Sequence, residues 1–359
     1  MRIVIHEPEL IARRGHNGFY AYFLSALVNH AGAWPTDEAR PLPRLTQPRE
    51  HESAWVQFDG HPVFFDMSDH AQFLDLAALE HCDVYFKANL HRGLARRILM
   101  NAELSHLEAK LSPFLFFAEG LERFQRDRQW RHWLRTDRPC QDVCHVAGVY
   151  ANPVRDGGRS PYEHAEEPLT STSSHFWIRW HTQQALRNAG ITGCYRLTSR
   201  TVRTLEDNQT VFSNLSRREF SRQITKGRLT VVNTFPHAIF PWKATESLVL
   251  GRPLLIEQAP LTETPAQFAL HPGLHFIELL PNSGDFDPRA PLEDPGSYRI
   301  LTRIPLCRFQ EQAGWLRGVL ADHDRLAEMG RACLSFASTA YTKPKVADYI
   351  VDTVRARIH

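Results

Sequence analysis

The sequence predicts an α/β protein of two doubly wound halves, each a parallel sheet flanked by helices, facing one another across a cleft. Three observations carry the prediction. Short β-branched runs alternate with amphipathic stretches along most of the chain, as expected for helices wound over parallel strands. The length of 359 residues suits about two domains of ~150 residues each. A basic, aromatic stretch at 118–139 separates two series of strands. The expected organisation is an N-terminal domain at 1–135, a C-terminal domain at 136–340, and a last helix at 341–359 that packs back on the first domain.

The first strand is read at 2–6, followed by the polar loop Arg13-Arg14-Gly15-His16-Asn17-Gly18 and a helix over 19–30. Pro, Glu and Arg make 35–53 a surface loop. Two apolar runs at 55–58 and 62–67 flank Asp59-Gly60, a hairpin dipeptide. A helix at 73–79, a strand at 83–87 and a helix at 91–110 follow, then the aromatic run 111–118 as a core strand. In the second half a strand at 143–150 leads to a Gly/Arg/Ser/Pro loop at 153–173. A helix at 174–189 ends on Gly190, and 195–198 is extended. Ser216 and Glu219 form a capping box for a helix at 216–225. Strands at 229–232, 253–257 and 275–280 follow, with a helix at 243–250 capped by Gly251. Two helices, 308–335 and 342–357, close the chain.

Composition removes several classes of function. There are 42 Lys+Arg against 40 Asp+Glu, with 43% hydrophobic and 23% charged residues. The chain is therefore not of disordered composition, and it has no broad positive excess for binding nucleic acid. Its longest apolar runs, 111–118 and 248–256, are far shorter than the ~20 residues of a membrane-spanning helix. The N-terminal apolar run is short and meets Glu7, so it reads as a strand rather than a signal peptide. The six cysteines contain no CxxC pair, and Cys140, Cys144 and His145 lack the spacing of a zinc site. No metal and no disulfide framework is expected, and a reduced cytoplasmic setting fits.

In open parallel sheets, ligands sit beyond the carboxyl ends of strands. The most informative segment runs from Phe235-Pro236-His237 through Pro241-Trp242-Lys243-Ala244-Thr245-Glu246 to Gly251-Arg252-Pro253. It reads as loop, helix, glycine cap and strand. The helix start offers backbone N–H groups and the Lys243 charge to a phosphate. Glu246, one turn later, is placed to accept two hydroxyls of a ribose or sugar. The plainer reading is a helix-surface carboxylate.

Glu246-Ser247-Leu248-Val249-Leu250-Gly251-Arg252-Pro253-Leu254-Leu255 resembles the E-A-L-A-x-G-x-P-V-I segment in the C-terminal half of GT-B glycosyltransferases. Residues 216–232 resemble the lead-in to that segment and 326–354 its closing helices. The family's further Glu, eight residues upstream, has Ala238 in its place. The resemblance implies two Rossmann-like domains. It also implies transfer of a sugar from a nucleotide-sugar to a hydroxyl of a glycan or lipid-linked glycan, without a resident cofactor. Donor contacts would come from His237, Trp242, Lys243, Thr245 and Glu246, with Arg155, Arg159 and Lys226 on the diphosphate.

Candidate bases are His16, in the loop after the first strand, and Asp66 and Asp69, at the end of another strand. Each has a local alternative. The loop holding His16 is also a polar turn with Asn17 as N-cap, and Ser68 or Asp69 can cap a helix starting near His70. The Arg- and Trp-rich stretch 123–135 reads first as a solvated linker helix and second as a peripheral membrane contact. Two other readings stay open: an epimerase or hydrolase acting on the same donor, and a two-domain sugar- or nucleotide-binding protein. A dinucleotide dehydrogenase is disfavoured, because no GxGxxG follows the first strand.

Overall fold

The computed structural model describes residues 1–6, 11, 18–36, 53–68, 74–115, 117, 121, 139–148, 171–198, 211–212, 215–233, 241–256, 262–279 and 306–358. The chain forms two compact units. One comprises Met1–Arg123, Leu261–Ala269 and Phe336–His359, and the other Phe124–Pro260 and Leu270–Ser335. The first change of unit falls at 123/124, where the sequence suggested 135/136, and the short return at 261–269 carries no local sequence signal.

The α/β class holds in both units. The first contains β1 (Ile3–Ile5), α1 (Gly18–Ala31), β2 (Trp34–Pro35), β3 (Ser53–Phe58), β4 (His61–Asp66), α2 (Leu76–His81), β5 (Val84–Lys87), α3 (Arg92–Asn101) and β6 (Leu111–Pro113). Its sheet order is β2-β1-β3-β4-β5-β6. This sheet is mixed rather than wholly parallel, because β3 runs antiparallel to both β1 and β4. The cause is local. Asp59 and Gly60 both take positive φ, +50° and +91°, and close a two-residue hairpin with Phe58 opposite His61.

Alternation along β4 and β5 buries both faces of this sheet. Phe64 and Tyr85 pack with Trp55 and with Ala78, Leu79, Ala95 and Leu99 of α2 and α3. Phe65 and Phe86 stack at 4.8 Å on the other face, where Phe23 of α1 lies 4.7 Å from Phe65. The segment after 261 is held by Arg92, whose two guanidinium nitrogens donate to Glu263 at 3.0 and 2.7 Å.

The second unit contains β7 (Gln141–Gly148), α4 (Ser171–Asn188), β8 (Gly193–Thr198), β9 (Val211–Phe212), α5 (Arg217–Lys226), β10 (Gly227–Val231), α6 (Trp242–Val249), β11 (Leu254–Ile256), β12 (Phe276–Glu278) and α7 (Leu306–Ala321). Then come α8 (His323–Thr339), which runs from this unit into the first, and α9 (Lys343–Ile358), which belongs to the first. Within that first unit α9 buries Val346, Ala347, Ile350 and Val354, and the Tyr349 hydroxyl donates to the Pro113 carbonyl at 2.5 Å.

All six strands of the second sheet are parallel, in the order β12-β11-β10-β7-β8-β9. Counted from β7 as the first strand, this is the 3-2-1-4-5-6 order of a doubly wound nucleotide fold, and the order reverses between β7 and β10. Val143, Leu229, Leu255 and Ile277 face Ala185 and Leu186 of α4 and Leu316 and Leu320 of α7.

Caps fix the helix ends. The Ser216 hydroxyl accepts from the Glu219 N–H while the Glu219 carboxylate accepts from the Ser216 N–H, so both halves of the capping box form. Gly251, at φ +67°, ends α6 and lets the Arg252 N–H return to the Ser247 carbonyl at 3.0 Å. The helix expected over 308–335 is two helices. Asp322 interrupts it, and its carboxylate accepts from the Arg325 N–H at 3.0 Å as an N-cap. Among the described residues, no helix is long and apolar enough to cross a membrane.

Candidate functional site

The point where strand order reverses in a parallel sheet leaves a crevice outside the carboxyl ends of the two strands concerned. In the second unit those strands are β7 and β10. Two cations meet the last carbonyls of β7: the Lys243 ammonium, from the first turn of α6, donates to Val146, and the Arg179 guanidinium, from α4, donates to Gly148. The helix brings its own partial charge. Pro241 is the N-cap of α6 and has no side-chain oxygen to offer, so among the described residues the helix start carries no side-chain cap.

Beneath these cations lies a polar group inside the sheet. His145 is wholly buried, and its Nε2 pairs with Asn233 Oδ1 at 2.7 Å just past the end of β10. Asn233 donates in turn to the Thr182 hydroxyl at 3.4 Å, and the Gln183 amide donates to the His145 carbonyl at 3.4 Å. The pairing with a carbonyl oxygen puts the ring proton on Nε2. Nδ1 is then a bare acceptor, buried and without a hydrogen-bond partner among the described residues.

Electrostatics follow from this crowding. Burial, then the neighbouring Lys243, pushes the His145 ring down to about 3, so it is neutral at physiological pH. Burial, then Arg179, pushes Lys243 down to about 8, while Glu246 acts in the opposite sense. Lys243 therefore stays a cation at neutral pH, but one that is easily neutralised. Thr245 and Glu246 are buried on α6, Glu246 at 1% exposure. Two cations and a helix start without a side-chain cap among the described residues suit an anion with several oxygens, such as a diphosphate.

Lys243, Thr245 and Glu246 share the first turns of α6. Lys226 is not with them. It is the last residue of α5, and its carbonyl accepts from the Cys140 N–H at the amino end of the sheet. The five residues of β10 separate it from the carboxyl edge by about 16 Å at ~3.3 Å per residue. Trp242 opens α6, with its side chain outside the described residues. His16, Asp69, Arg155, Arg159 and His237 lie outside the described residues altogether.

In the first unit, Asp66 ends β4 beside the end of β5, and its carboxylate is committed. Oδ2 accepts from the Tyr85 hydroxyl at 2.6 Å and pairs with Lys87 Nζ at 2.9 Å, and Oδ1 accepts from the Ser68 N–H at 2.9 Å. Lys87, with no exposed surface, also donates to the Ser68 hydroxyl at 2.5 Å, and Asn89 donates to the Ser68 carbonyl at 3.1 Å. A carboxylate holding three donors is an anchor, and here it ties the carboxyl ends of two parallel strands to the turn after β4.

His145, Asn233 and Arg179 were not singled out as ligand-facing residues by the sequence. His145 lies in an apolar strand pattern, and Arg179 falls in an ordinary helix. Only the strand order places them at one edge.

No family model matches the chain, and no curated protein matches it. Among solved structures it is similar to Anabaena Alr3699/HepE in complex with UDP and glucose, with 12% identity over 78% of this chain and 65% of that one at a TM-score of 0.38. It is also similar to TarM, with 7% identity over 76% and 44% of the two chains and a TM-score of 0.39. A putative UDP-N-acetylglucosamine 2-epimerase from Listeria monocytogenes matches with 11% identity over 79% and 62%, at a TM-score of 0.32. The chain spans less than two thirds of each of these structures. At such identities none of their chemistry transfers to this chain.

Proposed function

We propose that the chain is a GT-B-type glycosyltransferase that moves a sugar from a nucleotide-sugar to a hydroxyl of a glycan or lipid-linked glycan. One observation supports this most: Lys243, Arg179 and the open start of α6 gather where the strand order of an all-parallel sheet reverses. As the anomeric C–O bond breaks, negative charge grows on the leaving diphosphate. Lys243 and Arg179 exchange the carbonyls of β7 for phosphate oxygens, and the N–H groups of α6 add to them. Glu246 takes hydroxyls of the ribose or sugar. The chemistry draws on protein cations for leaving-group charge, so it needs no resident metal or cofactor.

The acceptor is bound mainly by the first unit. His16 and Asp69 remain the candidate bases, with Asp66 fixing the strand end from which Asp69 follows. If the acceptor is lipid-linked, the reaction takes place at the cytoplasmic face of a membrane, with the basic aromatic stretch 118–139 as the peripheral contact. The test is transfer from UDP-, GDP-, CMP- and ADP-sugars to glycan acceptors, by the native chain and by Glu246→Gln. Loss of transfer in a folded variant supports the donor role. Full activity in Glu246→Gln removes that role, and donor turnover without any acceptor replaces the transferase reading by a hydrolase or epimerase.

A further inference from the structure

Away from the carboxyl edge, β7 and β8 hold two thiols side by side. Cys144 and Cys194 are register partners on adjacent parallel strands, and both are free thiols. In-register neighbours lie about 4.8 Å apart between strands, inside the Cα separation of roughly 4.4–6.8 Å that a disulfide spans. One residue before Cys194, a side-chain carbon at Gly193 would meet the Val143 carbonyl oxygen at 2.7 Å, so that position requires glycine.

The two thiols differ in character. Cys144 is wholly buried, whereas Cys194 keeps 8% of its surface exposed. The Cys144 thiol hydrogen-bonds to the Cys194 sulfur, and Arg196, two residues along on the same face, lies beside it with Lys226. We propose that Cys144 and Cys194 are a peroxide-oxidisable dithiol that closes reversibly to a disulfide across β7 and β8.

The chemistry balances. The Cys194 thiolate attacks a peroxide oxygen, the O–O bond breaks, and Cys194 becomes a sulfenic acid while the peroxide leaves as an alcohol or water. The Cys144 sulfur then attacks the Cys194 sulfur, an S–S bond forms, and the sulfenic oxygen leaves as water with the Cys144 proton. Two thiols and one peroxide give one disulfide, one alcohol or water, and one further water.

The surroundings favour this pair over the other buried thiols. The hydrogen bond from Cys144, with Arg196 and Lys226, brings Cys194 down to about 7 against the opposing effect of burial. At pH 7 that gives roughly fifteen times the thiolate fraction of an ordinary thiol. Burial pushes Cys82 and Cys333 up to about 12, which makes them internal controls.

The test treats the full chain with a few equivalents of hydrogen peroxide, quenches by alkylation in denaturant, and maps all six cysteines by mass spectrometry. The expected product is a peptide linked through Cys144 and Cys194. It should form at least five-fold faster than Cys82 or Cys333 is modified, and dithiothreitol should reverse it. In Cys144→Ser, Cys194 should accumulate as a sulfenic acid that a 1,3-diketone traps. Recovery of both residues as alkylated thiols after exposed Cys140 has been oxidised overturns the proposal. So does over-oxidation of Cys194 beside an unreacted Cys144. The map on the native chain decides the matter even if the serine variant does not fold.

Discussion

Lys87→Met removes a charge from a side chain with no exposed surface while keeping its length and most of its packing. The change deletes the 2.9 Å ion pair with Asp66 and the 2.5 Å hydrogen bond to Ser68. Among the described residues, it leaves a buried carboxylate held by the Tyr85 hydroxyl and the Ser68 N–H. Removing one partner of a buried pair costs about 3–5 kcal/mol, because the remaining charge stays desolvated. At ~2–4 °C per kcal/mol for a unit of this size, the first unit should melt roughly 6–20 °C lower. Asp66→Asn together with Lys87→Met removes both charges, and its cost should fall short of the summed single costs by about 2 kcal/mol. Urea unfolding followed by tryptophan fluorescence reads this, since buried Trp55 lies 4.6 Å from Phe64 inside the same sheet. Single changes costing under ~1 kcal/mol, with an additive double variant, would refute the anchor and return Asp66 to the list of available bases.

Three further outcomes follow from the second unit. His145 has a folded value near 3 against an unfolded value of 6.5, so the unfolded chain takes the proton first and stability falls as pH drops through that window. At pH 4 the loss is about 3 kcal/mol relative to pH 7, and His145→Gln, which can still donate to Asn233, should remove that part of the acid sensitivity in urea titrations. Gly193→Ala puts a carbon 2.6 Å from Val143 Cγ2 and should destabilise the unit by at least ~2 kcal/mol in thermal melts. Lys243, lowered to about 8 from 10.5, loses its proton in the folded state first. Its contribution to stability therefore rises between those values, while nucleotide affinity, measured by titration calorimetry, should fall as pH passes 8.

What the sequence shows well is local. Asp59-Gly60, the Ser216/Glu219 capping box and Gly251 each act through bonds within a few residues, and each forms where the pattern places it. The antiparallel placement of β3 was half legible: the hairpin was visible, but its insertion between β1 and β4 depends on pairing over fifty residues. The site divides the same way. Lys243, Thr245 and Glu246 share one helix turn and can be read together. Asn233 meets His145 only because β10 pairs with β7, and Arg179 reaches Gly148 only because α4 lies back along β7, neither of which has a short motif. Lys226 falls between the helix read at 216–225 and the strand read at 229–232, so its place at the amino end of β10 is itself legible in the sequence.

In the proposed function, the carboxyl edge of β7 and β10 grips a nucleotide diphosphate through Lys243. Thermal shift with a panel of UDP-, GDP-, CMP- and ADP-sugars, on the native chain and on Lys243→Met, tests it most directly, since a ligand of the native state raises its midpoint. One nucleotide class should stabilise the native chain. Affinity for that class should fall about 10- to 100-fold in Lys243→Met, the worth of a charged hydrogen bond. Equal binding by both proteins, or no shift with any nucleotide, would contradict it.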